Sequence, residues 1–448
     1  MDTVDLLVRE GMLFAAIGLL VGGIDDLAVD LLYWLRRAGG RHRDGSMTVA
    51  ALPPVAVPGH LVVFVPAWDE EPVIAAMLGN ALARYDHADF AIHVGLYPND
   101  PATIAAARSV ADRDPRVRLV VGDRPGPTTK ADCLNTLWRD LVALGRPAKA
   151  VILHDAEDVV HTDELRVFDS LIDRHAVVQL PVLPLITPGS WVGASYADDF
   201  AQAHTNHLIV RTAMGAGMPL AGTGCAIATT TLARLAAAGG GSPFDPDSLV
   251  EDYELGLRIA TLDRSALFAR VTDRSGRLVA VRACFPDTLD AAVRQKARWI
   301  TGIALAGWDR TGWGRPMALV ENWWRARDRR TPLAMLVLAI AYAALPSWLA
   351  MTVARRWNDS AIVPLSPLLI GLLQVNGALL AWRLAMRAIF TGAVYGWRQG
   401  LWSIPRMMVG NVIAMLASAR AVRRYVGLLR GTPLAWDKTV HRFPDAHA

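Results

Sequence analysis

Gln295-Lys296-Ala297-Arg298-Trp299 sets an amide, a guanidinium and an indole on neighbouring turns of one helix face, directly ahead of long uncharged segments. An amide and a guanidinium fork suit a diphosphate, and an indole suits the face of a sugar ring. A surface helix with a buried tryptophan accounts for the same string. Upstream, Val250-Glu251-Asp252-Tyr253-Glu254-Leu255-Gly256 places an acid ahead of an amphipathic helix. Asp252 there reads as a general base that takes a proton from an attacking hydroxyl, or as a helix N-cap. His154-Asp155-Ala156-Glu157-Asp158 crowds polar residues behind the apolar run Val151-Ile152-Leu153. Asp155 and Glu157 can converge on a hard divalent cation, Mg2+ or Mn2+, that keeps water and diphosphate oxygens as its other ligands. An acidic cap on a helix over Thr162 to His175 is the alternative. His154 and His161 admit a histidine-based metal site, but carboxylates match an anionic ligand better.

Three further positions fall at ends of apolar runs. Glu70, in Pro66-Ala67-Trp68-Asp69-Glu70-Glu71, and Asp100, in Leu96-Tyr97-Pro98-Asn99-Asp100, offer carboxylates that can accept hydrogen bonds from a nucleobase edge. Either could equally cap a helix or close a turn. Lys130 opens Lys-Ala-Asp-Cys-Leu-Asn after the turn-rich stretch Gly122 to Thr129, where a lysine near free backbone N–H groups suits a phosphate. A solvated lysine fits as well.

Positioning such residues needs a scaffold, and the stretch from 58 to 310 supplies one. Leu61 to Val65, Ala91 to Leu96, Val117 to Val121 and Val151 to Leu153 read as buried parallel strands. Helices over Pro72 to Tyr85, Thr103 to Asp112 and Lys130 to Leu144 separate them. This alternation predicts an α/β doubly wound sheet that binds ligands beyond the carboxyl ends of its strands.

The apolar excess lies elsewhere. Of 448 residues 53% are hydrophobic and 20% charged, with a net charge of +4, and the mean hydropathy is +0.27. That charge is too small to argue for nucleic acid as a partner. Cys133, Cys225 and Cys284 are dispersed, which fits a reducing cytoplasm better than a disulfide framework or a zinc site. The N-terminus, with Asp2, Asp5, Arg9 and Glu10, is unlike a signal peptide. Residues 1–45 read as a short membrane helix over Gly11 to Ile24 followed by an amphipathic segment, Leu27 to Leu35. Arg36, Arg37, Arg41 and Arg43 then put the following side in the cytoplasm. Residues 325–431 read as a hairpin, Thr331 to Val353 and Ala361 to Trp382, followed by interfacial helices rather than a fourth crossing at Met407 to Ala419. Residues 432–448 read as a cytoplasmic tail.

The ordered set Asp100, Asp155-Ala156-Glu157, Val250-Glu251-Asp252 and Gln295-Lys296-Ala297-Arg298-Trp299, followed by membrane helices, resembles the processive family 2 glycosyltransferases. Leu32-Tyr33-Trp34-Leu35-Arg36, His154 to Asp158 and Trp436-Asp437-Lys438-Thr439 are similar to the bacterial phage adsorption protein B subfamily. The resemblance implies a GT-A fold, a UDP-sugar donor and an inverting transfer in the inner membrane, with the catalytic domain in the cytoplasm. It implies a polysaccharide or lipid-linked acceptor and a growing exopolysaccharide, with an outer-membrane export partner as a further expectation. It gives Asp252 the role of base, Asp155 and Glu157 that of the metal and diphosphate motif, and Gln295, Arg298 and Trp299 that of holding diphosphate and acceptor. Ala221-Gly222-Thr223-Gly224-Cys225 aligns loosely with an acceptor-side loop. Glu157 departs from the usual second aspartate, which lengthens its reach to a metal. Longer relatives append a cyclic-di-GMP-binding domain, so direct regulation by that nucleotide is not expected of this chain.

Overall fold

The computed structural model describes residues 3–40, 47–262, 265–431 and 443–444. Arg41, Arg43, the Trp436 to Thr439 motif and most of the tail lie outside the described residues. The strands are β1 (Met47–Thr48), β2 (Leu61–Pro66), β3 (Phe90–Leu96), β4 (Val117–Val121), β5 (Ala150–Leu153) and β6 (Val177–Gln179). They continue with β7 (Val182–Leu185), β8 (Cys225–Ala228), β9 (Ala266–Phe268), β10 (Val271–Thr272) and β11 (Val281–Cys284). The helices begin with α1 (Thr3–Ala38), α2 (Glu71–Arg84), α3 (Pro101–Ala111), α4 (Lys130–Ala143) and α5 (Glu164–Leu171). Next come α6 (Trp191–Gln202), α7 (Leu208–Ala213), α8 (Thr229–Ala238), α9 (Glu251–Leu262) and α10 (Leu289–Trp299). The last are α11 (Gly307–Thr311), α12 (Leu319–Arg329), α13 (Thr331–Trp357), α14 (Pro367–Tyr395) and α15 (Trp397–Leu429).

Seven strands form the main sheet in the order β4-β3-β2-β5-β8-β6-β9. The four expected strands are parallel neighbours, but β8 enters antiparallel between β5 and β6, so the sheet is mixed. Along β2 the pleat sends Leu61, Val63 and Val65 into one apolar layer and Val62 and Phe64 into the other. Burial on both faces is why these strands read as continuous apolar runs. From β2 the chain winds outward to β3 and β4, then returns to β5 on the other side of β2. The crevice beyond the carboxyl ends of β2 and β5 is therefore a topological switch point, where open α/β sheets bind ligands.

Four described helices, α1, α13, α14 and α15, are long and apolar enough to cross a membrane. The two segments expected at the N-terminus are one helix, because Asp25 and Asp26 have partners that let the helix run on past them. Asp26 Oδ1 lies 3.0 Å from Arg327 and 2.5 Å from Arg330, and its Oδ2 lies 2.5 Å from Arg383 of α14. Asp25 also pairs with Arg327 and Arg330, and it accepts from Trp323 Nε1 at 2.6 Å. At the far end Asp5 pairs with Arg9 at 3.1 Å and with Arg355 at 3.4 Å. Asp5 and Asp25 are separated by about 30 Å of helix, the thickness of a bilayer's hydrocarbon core. Between these charged levels the helices pack closely. A Cβ at Gly18 would come within 2.7 Å of Val337, and one at Gly23 within 2.9 Å of Leu379.

After residue 384 the helices are fewer and longer than the expected series. α14 runs on to Tyr395, and α15 is a single helix of 33 residues. Ile413, Ala417 and Ala421 of α15 are buried against Tyr196 of α6 and against Ala292, Ala297 and Ile300 of α10 and the turn after it. Asp26→Ala would leave Arg330 and Arg383 facing Arg327 with one counter-charge fewer. The variant is expected to lose about 3–5 kcal/mol of stability, read as a lower unfolding midpoint in detergent. A loss below about 1 kcal/mol would mean that solvent already screens the cluster.

Candidate active site

A cleft of about 930 Å3 opens beyond the ends of β2 and β5 and reaches Arg327, Asp328 and Thr331, where α13 begins. Glu70, Lys130, Asp155, Glu157, Asp252, Gln295, Arg298 and Trp299 all line it, although they span more than two hundred residues of sequence. Asp100 does not line it. Its carboxylate accepts the N–H of Thr103 at 3.2 Å, capping α3, and the N–H of Asp69 at 2.6 Å. Asp69 has φ +54, a turn conformation that needs such support. Asp100 thus holds the turn that delivers Trp68 and Glu70; of the two roles open to it, the capping one is realised.

Lys130 sits at the first turn of α4 and reaches across the cleft. Its Nζ donates to Asp155 Oδ1 at 2.5 Å and to the carbonyl of Gly222 at 3.0 Å, with Glu251 3.9 Å away. Burial opposes its charge, but Asp155, Glu251 and Asp252 outweigh burial and hold the amine protonated well above its usual range. Asp252 lies in the first turn of α9, where its Oδ1 accepts the N–H of Tyr253 at 2.7 Å. Burial first, and then the neighbouring Glu251, push its carboxyl above the usual carboxylate range. That shift suits a base. Gly222, at φ +77, is what lets the backbone come so close: a Cβ there would stand 2.5 Å from Asp252 Oδ2.

Two buried groups organise these loops: His154, whose expected alternative was a metal ligand, and Gln179, which the sequence reading did not single out. His154 is fully buried, its Nδ1 2.8 Å from Asp158 and its Nε2 2.5 Å from Glu164. Burial disfavours the imidazolium, yet Glu164 and Asp158 prevail and push the group up to about 10. Asp158 also accepts the N–H of Asp155 at 2.8 Å and the hydroxyl of Thr223, tying the Asp155 loop to the Gly222 loop. His154 is thus bound to two carboxylates and a hydroxyl rather than poised as a metal ligand. Gln179, at the end of β6, donates to the carbonyls of Thr223 and Gly224 at 2.9 and 3.1 Å and accepts the N–H of Ala221 at 3.0 Å. One amide therefore sets the Ala221 to Gly224 backbone. Trp68 also escaped assignment; its ring meets Tyr97 edge-on at 5.1 Å and walls the end of the cleft beside Pro127 and Thr128. A tryptophan directly after a buried strand was the available signal.

On the opposite wall, Gln295 Oε1 and Arg298 Nε are buried and make no hydrogen bond. Such groups are costly unless a ligand satisfies them. Trp299 packs on Tyr196 at 6.1 Å and on Phe200 at 6.4 Å. Among the described residues no three His, Cys, Asp or Glu side chains converge as a ready-made metal site. Asp155, with a third of its side chain exposed, and the cleft-lining Glu157 are nonetheless hard oxygen donors. They fit a cation that takes its remaining ligands from water and a diphosphate.

Comparison with known proteins agrees with this geometry. The family model described as "Glycosyltransferase like family 2" matches residues 58–302. Over an alignment 462 positions long the chain is 35% identical to the bacteriophage adsorption protein B of Escherichia coli strain K12, covering 96% of this chain and 61% of that protein. The same figures hold for the bacteriophage N4 adsorption protein B of Escherichia coli O157:H7. The chain thus spans 61% of the length of these curated relatives. In fold it is similar to a mannosyltransferase from Pyrobaculum calidifontis solved in complex with GDP-Man and Mn2+. That likeness has a TM-score of 0.58 and 17% identity, and it covers 91% of this chain and 99% of the other. The mixed sheet with its switch-point cleft is a GT-A fold, and the chain belongs to glycosyltransferase family 2.

Proposed function

We propose that the protein is an inner-membrane inverting glycosyltransferase that moves a sugar from a UDP-sugar to a growing exopolysaccharide, with its catalytic domain on the cytoplasmic side. The observation that carries the reading is the convergence of Asp155, Asp252 and Arg298 in one cleft whose far end meets the first turn of α13. Trp68 and Glu70 border the end suited to the nucleobase. Lys130 and Arg298 would donate to the diphosphate, Lys130 exchanging its bond to Asp155 for one to phosphate oxygen. Asp252 accepts the proton of the acceptor hydroxyl, whose oxygen attacks the anomeric carbon from the face opposite the diphosphate. Trp299 offers its ring to the acceptor sugar. Asp155 and Glu157 would hold Mg2+ or Mn2+, which when bound supplies neutralising charge to the leaving diphosphate.

In this reading α1, α13 and α14 cross the bilayer and α15 lies along its inner face. Packing of α15 against α6 and α10 from Trp402 to Ala421 supports the second part, since one face of that stretch is taken up by the catalytic domain. Trp397, Leu401 and Trp402 remain exposed at its start, as an interfacial helix requires. A second reading, transfer of one sugar to a lipid carrier, is favoured by the close approach of α1 to α13 and α14 at Gly18 and Gly23. That packing draws the helices together rather than apart around a channel. Product length on a gel separates the two: a ladder of polymer supports the first, and one added sugar per lipid supports the second.

Three outcomes test the chemistry. Asp252→Asn is expected to slow transfer by about 10²–10⁴-fold; a rate near the parent's would remove the base assignment. Gly222→Ala would push a methyl against Asp252 and strain a left-handed residue. Transfer should fall on the order of a hundredfold while UDP affinity stays near that of the parent. EDTA should suppress UDP release by about a hundredfold, with recovery on adding Mg2+ or Mn2+; unchanged release in EDTA would sink the cation's role.

A further inference from the structure

Lys296 occupies the second place of the Gln-x-x-Arg-Trp string, and no part of the proposed chemistry uses it. Its side chain turns away from Gln295 and toward α6, where Nζ donates to Asp199 Oδ2 at 2.7 Å and sits 4.9 Å from the centre of the Tyr196 ring. The other oxygen of Asp199 accepts from Arg387 of α14 at 3.2 Å. The preceding residue, Asp198, is wholly buried and held from two sides. Arg387 donates to it at 3.2 Å, and Arg406 of α15 makes a two-pronged contact at 2.9 and 2.7 Å. Arg406 is itself fixed by the side chain of Gln399 at 2.7 Å, and Arg387 by the carbonyl of Ser403 at 3.1 Å. An unbroken series of charge-assisted bonds therefore runs from α14 and α15, through two adjacent aspartates of α6, to the helix that carries Gln295 and Arg298.

We propose that Lys296 is a positioning residue through which α14 and α15 set the geometry of the diphosphate-binding wall of the cleft. Three observations bear on it. α10 has no side-chain cap at Thr288, so its rotation and height depend on contacts along its length. Gln295 and Arg298 flank Lys296 and present the unpaired buried atoms that await a ligand, so a small rotation of α10 misdirects both. Asp198 carries two arginines and is fully buried, so α6 cannot shift without separating desolvated charges. The membrane-side helices thereby become part of the binding site as well as its anchor. The inference rests on reading Gln295 and Arg298 as the diphosphate grip.

The test uses the full chain in detergent or nanodiscs, with UDP and Mn2+ as the titrant and affinity scored per folded protein. Lys296→Met is expected to weaken UDP binding about tenfold and to raise the donor KM more than it lowers kcat, whereas Lys296→Arg recovers most of the loss. Arg387→Met should act in the same direction. The double variant should bind no more weakly than the worse single variant, because both cut one series of bonds. Unchanged UDP affinity in Lys296→Met, or multiplicative effects in the double variant, would overturn the proposal. Arg298→Ala distinguishes a failed positioning role from a misassigned grip. If it weakens UDP binding and Lys296→Met does not, the positioning role fails alone; if it too has no effect, the grip has been misassigned and the proposal falls with it. Should Lys296→Met not fold, Arg387→Lys, which keeps the charge and shortens its reach, is expected to give the same loss of affinity, and normal UDP binding in it would also overturn the proposal.

Discussion

The site is governed by the concentration of negative charge at one end of the sheet. Asp155, Glu157, Asp158, Glu251 and Asp252 line a single cleft, and like charges brought together out of water repel strongly. Two cationic groups make the arrangement tenable. Lys130 stands among Asp155, Glu251 and Asp252, and the His154 imidazolium lies between Asp158 and Glu164. Burial, and after it the neighbouring Glu251, raises the proton affinity of Asp252. In the proposed function Asp155 would exchange its lysine for a cation when a diphosphate binds. A cleft so acidic would repel a nucleotide sugar; in the proposed function Lys130, Arg298 and a bound cation would reverse the sign where the phosphates sit.

The second constraint is mechanical. Both walls of the cleft are held by bonds that lead to the long apolar helices. Tyr253, next to the candidate base, donates to Asp328 at 2.8 Å, and Asp328 is gripped by Arg211 at 2.8 and 2.9 Å. Asp328 lies within α12, whose neighbouring Arg327 and Arg330 clasp Asp25 and Asp26 of α1. The other wall is tied to α14 and α15 through Asp198 and Asp199. The catalytic domain and the long apolar helices are thus interlocked by buried and half-buried ion pairs, in which removing one partner is costly because it leaves the other charge uncompensated.

Much of this was legible because sheet-end chemistry is local. A strand, a polar turn and a helix start within a few residues, so Lys130, Asp155 and Asp252 could be picked out and ordered without coordinates. Asp100 was ambiguous for the same reason. A carboxylate at a strand end can face a ligand or cap the next helix, and here Thr103 and Asp69 take both oxygens. Gln179 and Asp198 could not be weighed, because what defines them is a partner far away in sequence. Thr223 is 44 residues from Gln179, and Arg406 is 208 from Asp198. The antiparallel β8 was missed because Cys225 to Ala228 is a short apolar run of a kind that fits either direction. The N-terminal helix was cut short at Asp25 because an acid in an apolar run reads as an end until its arginines are seen.

The proposed function has this cleft cleave a UDP-sugar with Asp252 as the base. The most direct measurement is nucleoside diphosphate release from a panel of UDP- and GDP-sugars by membranes containing the full chain, run beside membranes containing the Asp252→Asn protein. Release from at least one UDP-sugar, abolished by the substitution, is the expected result. Release from GDP-sugars alone, from no donor, or at equal rates in both preparations would contradict it.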